Sequence, residues 1–154
     1  MYDLKIINAI VIDGTGSQRF LGEVAVNKDI IVDRGQKLGL SKNVFDAEGH
    51  ILCPGIIDTH THYDAQLTWD NLASPSLDLG VTTAIIGNCG FTIAPCKPEH
   101  RDLNMLNLTK VEGMPYNTLK AGIDWGYESY KEYLNLLERK KLAINICSYV
   151  GHSA

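Results

Sequence analysis

The sequence has no long hydrophobic run, no basic cluster, no internal repeat and no low-complexity segment. Each absence removes a class of function. A transmembrane helix needs about 20 consecutive apolar residues, so no membrane partner is expected. The net charge is −4 and no basic run offsets it, which argues against nucleic acid. The opening MYDLKIINAIVIDG lacks a basic region, a continuous apolar segment and a small-residue cleavage site. It reads as a strand rather than a secretory signal, and a cytoplasmic setting is the expectation. Two catalytic motifs are also incomplete. DGTGSQR lacks the third glycine of a dinucleotide fingerprint and follows a hairpin-type strand. GHSA lacks the glycine after Ser153 that a nucleophile elbow requires.

What is present is enough for a folded core: 154 residues, 45% of them hydrophobic. Four cysteines in a reducing compartment should be free thiols, whether structural, catalytic or metal-binding. The chain divides near Pro54. Residues 1–54 carry short strand signals separated by turn residues: LKIINAIVID before DGTG, two strands around Asn27-Lys28-Asp29, two more around Glu48-Gly49. Strands at such intervals predict a small antiparallel sandwich or barrel without a useful helix.

From Gly55 the rhythm becomes strand, helix, strand, helix, strand. GIIDTHTH is the first strand, and VTTAIIGNCG is the second, apolar enough to be buried on both faces. Helical spacing of Tyr127, Tyr130, Leu134 and Leu137 marks a helix, and a shorter one is expected near 103–108. LAINICSYVG is the third strand. This order predicts an α/β fold with a parallel sheet and helical crossovers.

Chemistry concentrates at the ends of these strands. Residues two apart on a strand share a face, so Asp58, His60 and His62 are predicted to point one way at a C-terminal strand end. That end is where α/β folds build their sites. Two neighbouring imidazoles suit zinc, iron, nickel or copper. A bare His-x-His is more often two unrelated polar residues; the strand context and Asp58 favour a metal site. Cys89, in GNCG after the second strand, is placed to converge on them, and reads equally well as a small buried hydrophobe. Cys53 and Cys147 read as core. Cys96 and His100 fit no zinc spacing. His152, at the end of the third strand, reads as a pocket residue or a turn stabiliser.

The segments VIDGTG, CPGIIDTHTHYDAQLTWD, GVTTAIIGNCGF, APCKPEHRD, VEGMPY and VGHSA together resemble the amidohydrolase superfamily, and most closely its N-acyl-D-amino-acid deacylase group. The resemblance covers essentially the whole chain. It implies the N-terminal part of a metal-dependent (β/α)8 TIM-like barrel, about three strands of it in residues 55–154, preceded by a small β-sandwich segment in residues 1–54. It implies Zn2+, one or two ions, with His60, His62 and Cys89 as ligands. The histidine pair would hold the weaker position, and cysteine would stand where many relatives use a carboxylated lysine. Asp58, Tyr63, Asp64 and Gln66 match the motif without an assigned catalytic role; Asp58, Tyr63, Asp64 and His152 are candidate pocket residues. The implied reaction is hydrolysis of a small-molecule N-acyl-D-amino acid by metal-activated water.

A barrel of this type takes about 250 residues, and only 100 run from Gly55 to Ala154. The later histidines and the acid–base aspartate are therefore expected beyond Ala154. The chain is expected to be the N-terminal piece of a longer enzyme, inactive and poorly soluble alone, its natural partner the missing part of the barrel. Two other readings stay open: an amidohydrolase of cyclic amides or dipeptides, against which GNCG argues, and a non-catalytic protein that binds metal or a partner.

Overall fold

A computed structural model describes residues 1–152. The chain separates into two compact units at the Pro54–Gly55 bond.

The first unit is one sheet of five strands: β1 (Tyr2–Val11), β2 (Phe20–Asn27), β3 (Ile30–Gly35), β4 (Ser41–Asp46) and β5 (Ile51–Leu52). Its order is β3-β2-β1-β4, with β5 also on β1. The β1–β2 and β2–β3 pairs are antiparallel, as the turn residues predict. β4 and β5 are both parallel to β1, so this is a single mixed sheet and not the expected antiparallel sandwich or barrel. The reason is a long-range fit. The β1–β2 register slips between Ile6 and Ala9, where Asn8 takes a positive φ of 54°. The turn at Glu48-Gly49 forms, but it docks on that bulge: Ala47 N–H donates to Ile7 O and Gly49 N–H to Asn8 O. β4 then follows the first half of β1 and β5 the second, on the same edge. Ala9, Val11, Val24 and Ala47 form a small core, with Ile6, Phe20 and Leu52 against it.

The second unit has β6 (Ile56–Asp58), β7 (Val81–Ile86) and β8 (Asn145–Ser148), with α1 (Arg101–Val111), α2 (Tyr116–Gly122) and α3 (Tyr130–Lys140) between the last two. The sheet is parallel in the order β6-β7-β8, as predicted. One face carries the core. Ala84 and Ile86 of β7 and Ile146 of β8 belong to one cluster with Met105 and Leu108 of α1, Leu119 of α2, and Tyr133, Leu136 and Leu137 of α3. Strand alternation sends Ile57, Thr83, Ile85 and Cys147 to the opposite face. That face is poorly covered, with Ile57 61% exposed. β7 is therefore buried on one face and not on both.

The cysteines follow the same logic. Cys147 lies on the poorly covered face and Cys53 beside the unit boundary, and both are exposed where core was predicted. Cys96 is the buried one, 3% exposed. Its stretch reads as a polar loop, yet Ile93 and Ala94 are fully buried and draw it into the core. Asn104 Nδ2 donates to its sulfur at 3.7 Å, and burial pushes the thiol pKa up.

In α3 the buried face is Tyr133, Leu136 and Leu137; Leu134 turns outward, and Tyr127 is buried ahead of the helix. The start of α3 is a capping box written as SYKE. Ser129 Oγ accepts Glu132 N–H at 3.3 Å, and the Glu132 carboxylate accepts Ser129 N–H at 2.8 Å. The N–H groups of Ser129 and Glu128, with the Ser129 hydroxyl, hold the Glu132 carboxyl below its ordinary range. Its contribution is therefore complete above the ordinary glutamate pKa and is lost as pH falls through the lower folded value. Ser129→Ala is expected to lower the unfolding free energy by about 1 kcal/mol, and Ser129→Gly by a few tenths. Urea titration at neutral pH checks both; equal midpoints for wild type and Ser129→Ala would show that the cap contributes nothing.

Candidate metal centre

The strand β6 ends at Asp58, so His60 and His62 lie on the loop beyond it rather than on the strand. Their shared direction comes from turn chemistry instead of strand alternation. Asp58 Oδ1 accepts His60 N–H at 3.1 Å, an aspartate-turn contact that bends the chain. Thr61, between the histidines, is fixed to the end of β7: its N–H and its Oγ1 both donate to Ile85 O, at 3.0 and 2.9 Å. The two imidazoles flank that anchor with ring centroids 5.3 Å apart.

Cys89 arrives from the other side through a left-handed turn. Gly87 (φ 79°), Cys89 (φ 57°) and Gly90 (φ 78°) all have positive φ. A Cβ at residue 87 would run into Tyr149 O, so only glycine fits. A non-glycine residue in this region costs roughly 1–2 kcal/mol, which the turn bears at Cys89. Asn88 ties the turn to the histidine loop: its Nδ2 donates to Thr61 O at 3.1 Å and Ile85 O at 2.8 Å.

The result is a three-donor cluster. His60 Nε2 lies 3.3 Å from Cys89 Sγ. Ligand atoms of His60, His62 and Cys89 all lie within 4.8 Å of one another. A nitrogen and a sulfur on one tetrahedral zinc are about 3.5 Å apart, given bonds of about 2.0 and 2.3 Å. The observed pair is close to that spacing, and two imidazoles with a thiol suit a borderline-soft divalent ion.

The remaining candidates brace this cluster or lie outside it. Tyr63 Oη shares a hydrogen bond with Ser76 Oγ at 2.6 Å and packs on the core. Asp64 is 2% exposed; its Oδ2 accepts Gly87 N–H at 3.2 Å, steadying the cysteine turn. Burial pushes its carboxyl pKa up, and its Oδ1 has no hydrogen-bond partner among the described residues. Gln66 Nε2 donates to Asp70 Oδ2 and Ser74 O, a loop-stabilising role. His152 is exposed and is not among the three clustered donors. One neighbour of the cluster escaped the sequence reading. Glu112, just past α1, places Oε1 3.1 Å from His62 Nδ1. Its only sequence signal is its place in VEGMPY, since no spacing rule links residues 62 and 112.

No family model matches the chain. N-acyl-D-aspartate deacylase of Alcaligenes xylosoxydans xylosoxydans is 31% identical over 152 residues, 98% of this chain and 28% of that protein. Solved structures of D-aminoacylase, described as a novel subset of amidohydrolases and as having a binuclear metal centre, match with a TM-score of 0.78 at 30% identity, covering 99% of this chain and 30% of theirs. The N-acyl-D-glutamate deacylase of Bordetella bronchiseptica, solved with zinc and a phosphonate inhibitor, matches with a TM-score of 0.68 at 28% identity, over 98% of this chain and 30% of that one. The chain is a homologue of the N-acyl-D-amino-acid deacylases. It spans about 30% of the length of the relatives it matches.

The donor cluster depends on two loops meeting. Asn88→Ala deletes the cross-loop bond to Thr61 O and the local bond to Ile85 O. The expected loss is about 1–2 kcal/mol of unfolding free energy, measured by chemical denaturation. An unchanged midpoint would mean that the loops meet without Asn88.

Proposed function

We propose that His60, His62 and Cys89 hold a divalent metal, zinc in the first instance, in the active site of an enzyme that hydrolyses the amide bond of N-acyl-D-amino acids. The observation that carries this reading is the convergence of two imidazoles and a thiol from separate strand ends within 4.8 Å. The homology to D-aminoacylase and the N-acyl-D-amino-acid deacylases supplies the reaction class.

The residues have separate tasks. Cys89, as thiolate, brings the one negative charge among the three donors and the tightest bond to a soft ion. The histidines complete the donor set while neutral, each with one nitrogen free. When bound, such an ion supplies polarisation of the acyl carbonyl and a water acidic enough to act as nucleophile near neutral pH. The leaving amine needs a proton from a general acid. By resemblance that role falls to an aspartate, and none of the residues placed here is assigned to it.

In the same reading, β6, β7 and β8 are the first three strands of a (β/α)8 barrel. Support comes from the parallel order and from helices packed on one face only. Among the described residues no helix is long and apolar enough to cross a membrane. All four cysteines are free, in keeping with a reducing cytoplasmic setting.

Two measurements test the function. By elemental analysis the purified protein is expected to carry zinc, and Cys89→Ala to lose most of it with unchanged circular dichroism. Zinc retained in that variant would remove the thiol from the site. Expressed with any coding sequence that follows residue 154, the protein is expected to release amine from N-acyl-D-amino acids and not from their L enantiomers. Turnover of a cyclic amide in their place would move the reading to another amidohydrolase.

A further inference from the structure

We propose that Glu112 is a positioning residue of the metal site: its carboxylate takes the Nδ1–H of His62 and so leaves Nε2 as the nitrogen offered to the ion. The inference rests on the metal-binding reading above and adds an element that it does not contain.

The backbone fixes where Glu112 stands. α1 ends at Val111, and Glu112 is its C-cap, with φ −104° and ψ −4°. Its N–H closes the last turn on Leu108 O at 2.8 Å. From this anchor Oε1 reaches to 3.1 Å from His62 Nδ1. Both side chains are shielded, 16% and 22% exposed. Nδ1 itself is buried, and no group among the described residues makes an aligned hydrogen bond to it. Alignment, not distance, is what the Glu112 contact lacks. Hydrogen bonds at such sites often align fully only in the loaded state.

Chemistry then selects the tautomer. A lone pair on Nδ1 would face a carboxylate oxygen, which is repulsive. A proton on Nδ1 would have that oxygen as its acceptor once the two align. A buried polar group left unpaired costs about 1–3 kcal/mol, so the Nδ1–H form is favoured. Neutral imidazole with its proton on Nδ1 has its lone pair on Nε2. This is the carboxylate–histidine–metal relay, in which an outer carboxylate sets ring orientation and raises ligand basicity. The charges also close: a doubly positive ion against one thiolate and one carboxylate leaves the site neutral. His60 is different. It is exposed, and its Nε2 faces Cys89 Sγ at 3.3 Å. The two histidines are thus unequal candidate ligands, one shielded beside a carboxylate and one exposed.

The experiment combines nitrogen NMR with metal affinity. In the metal-free protein, 15N–1H correlation of the His62 ring is expected to show the Nδ1–H tautomer. A dominant Nε2–H tautomer in wild type overturns the proposal without any variant. Glu112→Ala is expected to release His62 to a tautomer mixture and weaken zinc binding about 10–100-fold, read by competition with a chromophoric chelator. Glu112→Gln keeps a carbonyl acceptor, so it should retain the Nδ1–H tautomer and lose less affinity. A purely structural role would lower stability in both variants while tautomer and affinity stayed put; that pattern, or an unchanged tautomer in Glu112→Ala, overturns the proposal. Wild-type protein that binds no zinc would sink the metal reading separately, and the tautomer would still decide the role of Glu112.

Discussion

One carbonyl oxygen carries the geometry of the site. Ile85 O, near the end of β7, accepts Thr61 N–H, Thr61 Oγ1 and Asn88 Nδ2 at 3.0, 2.9 and 2.8 Å. A carbonyl has two lone pairs, so three donors saturate it. Thr61 sits between the two histidines and Asn88 precedes the cysteine. Both donor-bearing loops are therefore referenced to the same atom. That atom belongs to a strand whose other side is packed through Ala84 and Ile86, both fully buried. The loops inherit the rigidity of the core through a single hydrogen-bonding hub.

The helical side supports the same loops from beneath with phenols. Tyr133 is fully buried and donates to Asp64 O at 2.9 Å; Tyr127 donates to Ile93 O at 3.1 Å; Tyr130 donates to Ser148 O at 2.9 Å. Each links α3 or its lead-in to a loop or strand end on the site side of the sheet. Burial pushes the Tyr127 and Tyr133 hydroxyls well above the ordinary phenol value, so both remain donors at any physiological pH. Tyr127 and Tyr133 also meet edge to face at 5.1 Å between ring centroids, a contact worth about 0.5–1.5 kcal/mol beyond area burial. Such buried hydroxyls are costly unless paired, and pairing them to loop carbonyls turns that cost into positional precision.

Local chemistry was legible in the sequence; long-range choice was not. GNCG after the second strand places Cys89 near the histidines, and the spacing of Tyr127, Tyr130, Leu134 and Leu137 marks a helix where α3 lies. His60 and His62 were placed together for a partly mistaken reason: the strand stops at Asp58, and the aspartate turn does what alternation was expected to do. Glu112 was invisible because its partner lies 50 residues away (positions 62 and 112). The parallel docking of β4 and β5 depends on a bulge at Asn8, which their own residues do not reveal. The cysteine assignments failed from the same cause. An apolar run says that a strand exists, and only the neighbouring elements say which face they cover. Cys147 therefore lies exposed, and Cys96, in a stretch that reads as polar, is buried by Ile93 and Ala94.

The donor cluster also constrains how the protein gains its final order. His60 and Cys89 are both exposed, while His62 is largely shielded. Gathering three candidate metal donors on converging loops costs conformational entropy, together with the strain of a non-glycine residue at φ 57°. The hydrogen bonds at Ile85 O meet part of that cost before any ion arrives. An ion that binds the gathered donors and not the separated ones stabilises the folded loops by mass action. At the proposed site the shielded His62 and the turn-held Cys89 would leave an ion least order to impose, and the remaining adjustment would fall on His60, exposed and held at its backbone by Asp58. Affinity at such a site is set less by the number of donors than by how many of them the fold has already fixed.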